Sequence, residues 1–139
     1  MTTSLSGRYK AACAALGLPE GGAGACGVDK SVIIERRTEG KGLYRIVPHG
    51  YDMVWYQRDC PALDFSAPGT IGLLRSHLDV LWARLHWPIT VDRCPPQGPA
   101  WQAQVCTPDP ICCTGETEAD AIIAALEIVA AHVERRGAP

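Results

Sequence analysis

Apolar residues recur with two different periods along this chain, and the places where one period gives way to the other predict its elements. In Trp101, Gln102, Ala103, Gln104, Val105 and Cys106 the odd positions are apolar and glutamines fall between them, the alternation of a half-buried strand. Past Thr114-Gly-Glu-Thr117 the period changes. Ile122, Leu126, Val129 and Val133 follow at steps of three and four, the stripe of an amphipathic helix. Leu74, Leu78, Leu81 and Leu85 carry the same spacing through residues 70–86, which Pro88 closes. A shorter helix is predicted over 8–16, with Ser6 as its cap and Gly17 and Pro19 as its stop.

Strand signals fill the intervals. Residues 31–37, with Val32, Ile33 and Ile34, and residues 43–47 predict a hairpin turning through Thr38, Glu39, Gly40, Lys41 and Gly42. The aromatic stretch 51–57 predicts a third strand. Residues 89–94 pair with Trp101–Cys106 across a proline-rich turn at 95–99, and a short strand at 111–113 leads to the last helix. Thr117 is the natural cap of that helix, and Asp120 adds negative charge near its positive end. The expected fold is α+β, with antiparallel sheets and helices packed on one face, in the order α-βββ-α-βββ-α. The glycine-rich run 20–27 reads as a flexible connector, and 58–69, with Pro61 and Pro68, as a linker. The expected organisation is a helix plus three-stranded subdomain over 1–60 and an α-βββ-α subdomain over 70–139, forming one compact unit.

Composition narrows this picture. Among 139 residues, 47% are apolar and 20% charged, a folded globular balance large enough to build a core without staples. The net charge of −2 excludes little, but its distribution is uneven. Residues 1–60 hold eight Lys/Arg against six Asp/Glu, residues 61–139 hold five against nine, and the basic excess concentrates at 30–45. No run reaches the length of a membrane span, and the first residues lack the charged and apolar blocks of a signal peptide. A cytoplasmic protein with no membrane partner is expected.

The seven cysteines are an odd number, and reduced thiols are expected in that compartment. Cys94, Cys106, Cys112 and Cys113 share a half of the chain with His86 and raise the question of zinc. Their spacing answers it poorly, because the one close pair, Cys112 and Cys113, is adjacent and points to opposite faces of a strand. Small apolar core residues are the stronger reading, and no metal or cofactor is expected.

Other motif-like strings meet similar objections. Gly22-Ala-Gly-Ala-Cys-Gly27 has the spelling of a dinucleotide-binding loop, but a predicted helix precedes it and a strand follows, the reverse of what that mechanism requires. His77 and His86 lie on one predicted helix about half a turn apart and cannot share a metal. A thiol and imidazole pair of Cys60 and His49 is the one enzymatic arrangement worth carrying forward, and it depends on proximity that sequence does not establish.

The basic hairpin is the better candidate for contact. Lys30, Arg36, Arg37, Lys41 and Arg45, with Tyr44 among them, can form a cationic ribbon for phosphates or for an acidic protein surface. Glu35 and Glu39 interleave, so an ordinary solvated hairpin is the stronger account. Tyr51, Trp55 and Tyr56 on the next strand are the following candidates for anchoring a partner.

From residue 70 to residue 136 the helix, three strands, helix order, together with Trp101-Gln-Ala and Thr-Gly-Glu-Thr-Glu-Ala-Asp-Ala-Ile before an alanine-rich helix, resembles the phage ABA sandwich domain. Pro108-Asp109-Pro110 and Gly115-Glu-Thr117 are similar to the same junction in HicB-type antitoxins, and the element order resembles a double-stranded RNA-binding domain. Where that last family places lysines at the final helix, this chain has Glu116, Glu118 and Asp120, which repel RNA. The first resemblance implies a non-enzymatic protein of phage or mobile-element origin in a bacterial cell. It would bind a host or phage protein complex and inhibit a host defence system. The second implies an antitoxin-like or nucleic-acid-associated regulator working through the hairpin.

Overall fold

In a computed structural model of the protein, residues 4–37, 44–93, 101–107 and 109–135 are described. Three helices and two three-stranded antiparallel sheets follow in the expected α-βββ-α-βββ-α order: α1 (Leu5–Leu16), β1 (Val32–Arg36), β2 (Tyr44–Val47), β3 (Trp55–Gln57), α2 (Pro68–Leu85), β4 (Ile89–Arg93), β5 (Trp101–Cys106), β6 (Pro110–Gly115) and α3 (Glu118–Arg135). No helix among the described residues is long and apolar enough to cross a membrane. The chain divides into two compact units, one made of Met1–Leu18 with Leu74–Pro139 and the other of Pro19–Leu73.

The discontinuous unit is built around α3. Strands β4, β5 and β6 form a meander in which Val91, Ala103 and Cys113 are aligned across the sheet, as are Ile89, Val105 and Ile111. Period-two geometry puts both rows on one face, and α3 covers it. Thr117 accepts from the Asp120 amide at 3.1 Å, capping α3 as its sequence position predicts. Ala119, Ala121, Ile122, Ile123, Ala125, Leu126 and Val129 are all fully buried, a wider arc than a helix lying on one sheet needs. The reason is α1, which packs along α3 on another side.

This placement of α1 differs from the expectation that it would join the first three strands. Arg8 explains the choice: its guanidinium reaches Asp120 at 3.0 Å and Glu127 at 2.5 Å, and the alanines of both helices allow close approach. The helix also starts earlier than predicted. Ser4, not Ser6, is the cap and accepts from the Gly7 amide at 3.2 Å, while Gly17 ends the helix at φ 68°, as expected. Tyr9 is buried and meets His77 of α2, its hydroxyl 2.8 Å from Nε2. On α2, Leu74, Leu78 and Leu81 of the predicted stripe are buried and Leu85 is half-buried, and Arg84 donates to the Leu16 carbonyl at 3.1 Å.

The second unit contains β1, β2 and β3 in that order. Ile33 pairs with Ile46 and Ile46 with Trp55 on one face; Glu35 pairs with Arg45 and Arg45 with Tyr56 on the other, after an irregularity between Ile33 and Glu35. The inner face buries Ile33, Tyr44 and Ile46.

Two segments expected to be loose are tied down. The amides of Gly24, Ala25, Cys26, Gly27 and Val28 donate in turn to the Ile33 carbonyl, the Gly22 carbonyl, the Thr70 hydroxyl, the Ser31 carbonyl and the Ala62 carbonyl. With five successive N–H groups engaged inside the protein, this run offers no cradle for a phosphate and is not a flexible connector. The predicted linker 58–69 is a packed limb: Leu63 is buried and bridges to Gly27, and the Asp64 amide donates to the Cys26 carbonyl at 2.8 Å. The division between units therefore falls at Leu18 and Leu73 and not within 58–69.

Candidate functional site

Large apolar side chains left in water mark where a soluble surface is unfinished. Among the described residues ten are exposed, and eight of them belong to the second unit: Val28, Val32, Ile34, Tyr51, Met53, Val54, Trp55 and Tyr56. Five of these fall within six positions of the chain, at and just before β3. The local cause is legible. Strand β3 is an edge with a single neighbour, β2, and it is only three residues long, so its side chains find no second wall. Residues 51–54 precede it without joining the sheet, which shortens the strand predicted over 51–57.

The two faces of this edge differ chemically. On the face shared with Ile46, Trp55 stands 53% exposed and helps to line an open groove of about 420 Å3. Ile46, Pro48, Tyr51, Met53 and Gln57 complete its wall, together with Asp29 and Ser31 from the turn before β1. The Ser31 hydroxyl and amide donate to Asp29 Oδ1 at 2.6 and 3.1 Å. Those bonds hold the Asp29 carboxyl below its ordinary range, so it is ionised at neutral pH. On the opposite face, two guanidinium groups approach the Tyr56 ring, with Arg37 5.5 Å and Arg45 5.8 Å from its centre. Glu35 pairs with both of these arginines, at 2.5 Å to Arg45 and 3.6 Å to Arg37. The bond from Arg45 is the main reason the Glu35 carboxyl is held below its ordinary value.

The residues singled out in the sequence are thus separated by the fold. Tyr51, Trp55 and Tyr56 are all presented to solvent, Tyr51 and Trp55 at the groove and Tyr56 on the opposite face of β3. Arg37 and Arg45 join them, but as partners of Glu35 and Tyr56. Arg36 turns to Tyr44, donating to its hydroxyl at 3.3 Å with the guanidinium 5.8 Å from the ring centre. Tyr44 itself is 4% exposed and donates to the Glu20 carbonyl, so it is a core residue and not an anchor for a partner. Lys30 sits in the turn before β1 at φ 67°, its amide bonded to the Gly27 carbonyl at 2.9 Å. Lys41, the predicted hairpin tip and Cys94 lie outside the described residues. Among the described residues, the arginines of the candidate ribbon are thus engaged by Glu35, Tyr44 and Tyr56, and Pro19–Leu73 as a whole carries six Lys/Arg against seven Asp/Glu.

Sequence reasoning overlooked Met53, Val54 and the Asp29 and Ser31 turn. The run Tyr51-Asp-Met-Val-Trp-Tyr carried a usable signal, because consecutive apolar residues on a strand cannot all face one core. Asp29 gave none, since only the fold brings it beside Trp55.

The other chemical candidates are dispersed. Cys60 lies against Gly21 and Tyr44, and His49 is exposed in the turn at 48–51. Cys112 is exposed, while Cys113 faces α3, where burial raises its thiol pKa. No group of three or more His, Cys, Asp or Glu among the described residues is placed to hold a metal ion. No protein-family model, curated protein or solved structure matches the chain.

Proposed function

We propose that the protein acts by binding another protein, and that the β3 edge with Tyr51, Met53, Trp55 and Tyr56 is its recognition surface. One observation carries this reading: five of the ten exposed large apolar residues among those described gather on one short edge strand and the segment before it. Rigid aromatic side chains on an unpaired strand edge are the equipment of strand-addition and hot-spot recognition. Resemblance of the C-terminal half to the phage ABA sandwich is the support for a phage or mobile-element origin and for a host-defence complex as the target. On this reading the protein inhibits by occupying a surface and catalyses nothing itself.

Recognition of nucleic acid is the alternative. The cations are poorly placed for it, because Glu35 already holds Arg37 and Arg45. Capture of the partner by the tagged protein tests both. Trp55→Ala and Tyr51→Ala should each reduce it by about tenfold or more, the loss typical of an interface anchor. Trp82→Ala, at a comparably exposed position on α2, should leave it intact. A nucleic-acid partner would instead be lost steeply with added salt and spared by Tyr51→Ala.

A further inference from the structure

The groove beside Trp55 carries one ionised group in its lining, and that group is an anion. Most of its wall is apolar or aromatic, from Ile46 and Pro48 through Tyr51, Met53 and Trp55, with Asp29 contributing the carboxylate. The remaining amide, Gln57, donates its Nε2 to the Asp59 carbonyl at 2.7 Å. An anionic ligand meets Asp29 as a like charge. A neutral apolar ligand strips water from the carboxylate and gives nothing back. A cation on an apolar stem satisfies both parts of the wall, since methylenes lie along apolar surface while the charged head stays at its edge, and aromatic faces attract it further. Between the two cationic side chains, the carboxylate geometry favours lysine. Both Ser31 bonds fall on Oδ1, which interferes with the two parallel bonds an arginine fork makes, whereas an ammonium is a point charge that needs no fork.

We propose that this groove receives a lysine side chain of the partner protein, its methylenes along Ile46, Pro48 and Met53 and its ammonium at Asp29 beside the rings of Tyr51 and Trp55. The inference rests on the β3 edge being the recognition surface and names the chemistry that edge selects.

The test uses the full chain, 15N-labelled, titrated with the peptide acetyl-Ala-Ala-Lys-Ala-Ala-amide and with its norleucine analogue, which keeps the methylenes and loses the ammonium. The lysine peptide should shift the Trp55 indole and the amides of 51–55 saturably, and the norleucine peptide should bind about fivefold more weakly. Asp29→Asn keeps an acceptor oxygen for Ser31 and removes the charge. It should bring the lysine peptide down to the norleucine level without changing norleucine binding. Equal binding of the two peptides to the parent, a lysine preference that survives Asp29→Asn, or an arginine peptide binding as tightly as lysine overturns the proposal. Partner capture separates the two levels of the argument. If Trp55→Ala loses the partner and Asp29→Asn retains it, the lysine assignment fails and the recognition edge stands; if both retain it, the edge itself is misassigned.

Discussion

A methyl group at Gly69 would run into the Gly24 carbonyl oxygen, and backbone cannot step aside as a flexible side chain can. Next to it, the Thr70 hydroxyl bonds both the amide and the carbonyl of Cys26, so the start of α2 and the glycine run are clamped together at two adjacent residues. Gly69→Ala should therefore cost about 2 kcal/mol or more by overpacking, read as a lower denaturant midpoint. Gly72, three positions on in the same helix, has open space around it, and Gly72→Ala should stabilise by about 0.5–1 kcal/mol. His77 supplies a second test at this scale. Buried against Tyr9, it has its pKa pushed down to about 4 from 6.5, because burial disfavours the charged ring. Between those values the unfolded chain binds a proton that the folded one refuses, so stability should be full above pH 6.5 and fall as pH drops toward 4, with no further loss from this group below that. The full difference is on the order of 3 kcal/mol. Urea unfolding between pH 7.5 and 4.5 should show that slope, and His77→Gln should flatten it.

At the level of elements, α3 is the piece on which the first unit depends. Leu126 is fully buried among the residues that α3 turns inward, and Leu126→Ala should lower stability by about 2–5 kcal/mol, measured by chemical denaturation. A melt like the parent's would mean that α3 is peripheral. Most of the elements were legible in the chain because their signals are local: alternation in β5, the leucine stripe of α2, and Thr117 at the head of α3. Boundaries shifted where a cap had competitors, as with Ser4 against Ser6. What sequence could not supply was the choice of neighbour. Nothing local says that α1 packs on α3, since Arg8 finds Asp120 and Glu127 only in three dimensions. The candidate site was half legible for the same reason. Tyr51, Trp55 and Tyr56 stood out as aromatics, but Tyr44 looked just like them and is core, and Asp29 reaches the groove through the turn before β1.

Across the whole molecule, the described cysteines Cys13, Cys26, Cys60, Cys106, Cys112 and Cys113 are free thiols. Cys112 and Cys113 point to opposite sides of β6, and burial raises the thiol pKa of Cys113. Treatment with chelator and reductant should move the melting temperature by no more than a few degrees, the size of an effect near 1 kcal/mol; a larger fall would reveal a cross-link or ion that holds the fold. The division into units has a further consequence, for the order in which the protein takes shape. Pro19–Leu73 is one uninterrupted stretch, whereas α1 must wait for α3, which begins only at Glu118. At about 5–20 residues per second, synthesis leaves α1 without its partner for roughly ten seconds. A helix of 12 residues is marginal on its own for that interval. Ribosome-bound chains stalled before Glu118 should be cut by protease within 5–16 while 19–73 resists, so that a helix made ahead of 19–73 is fixed after it.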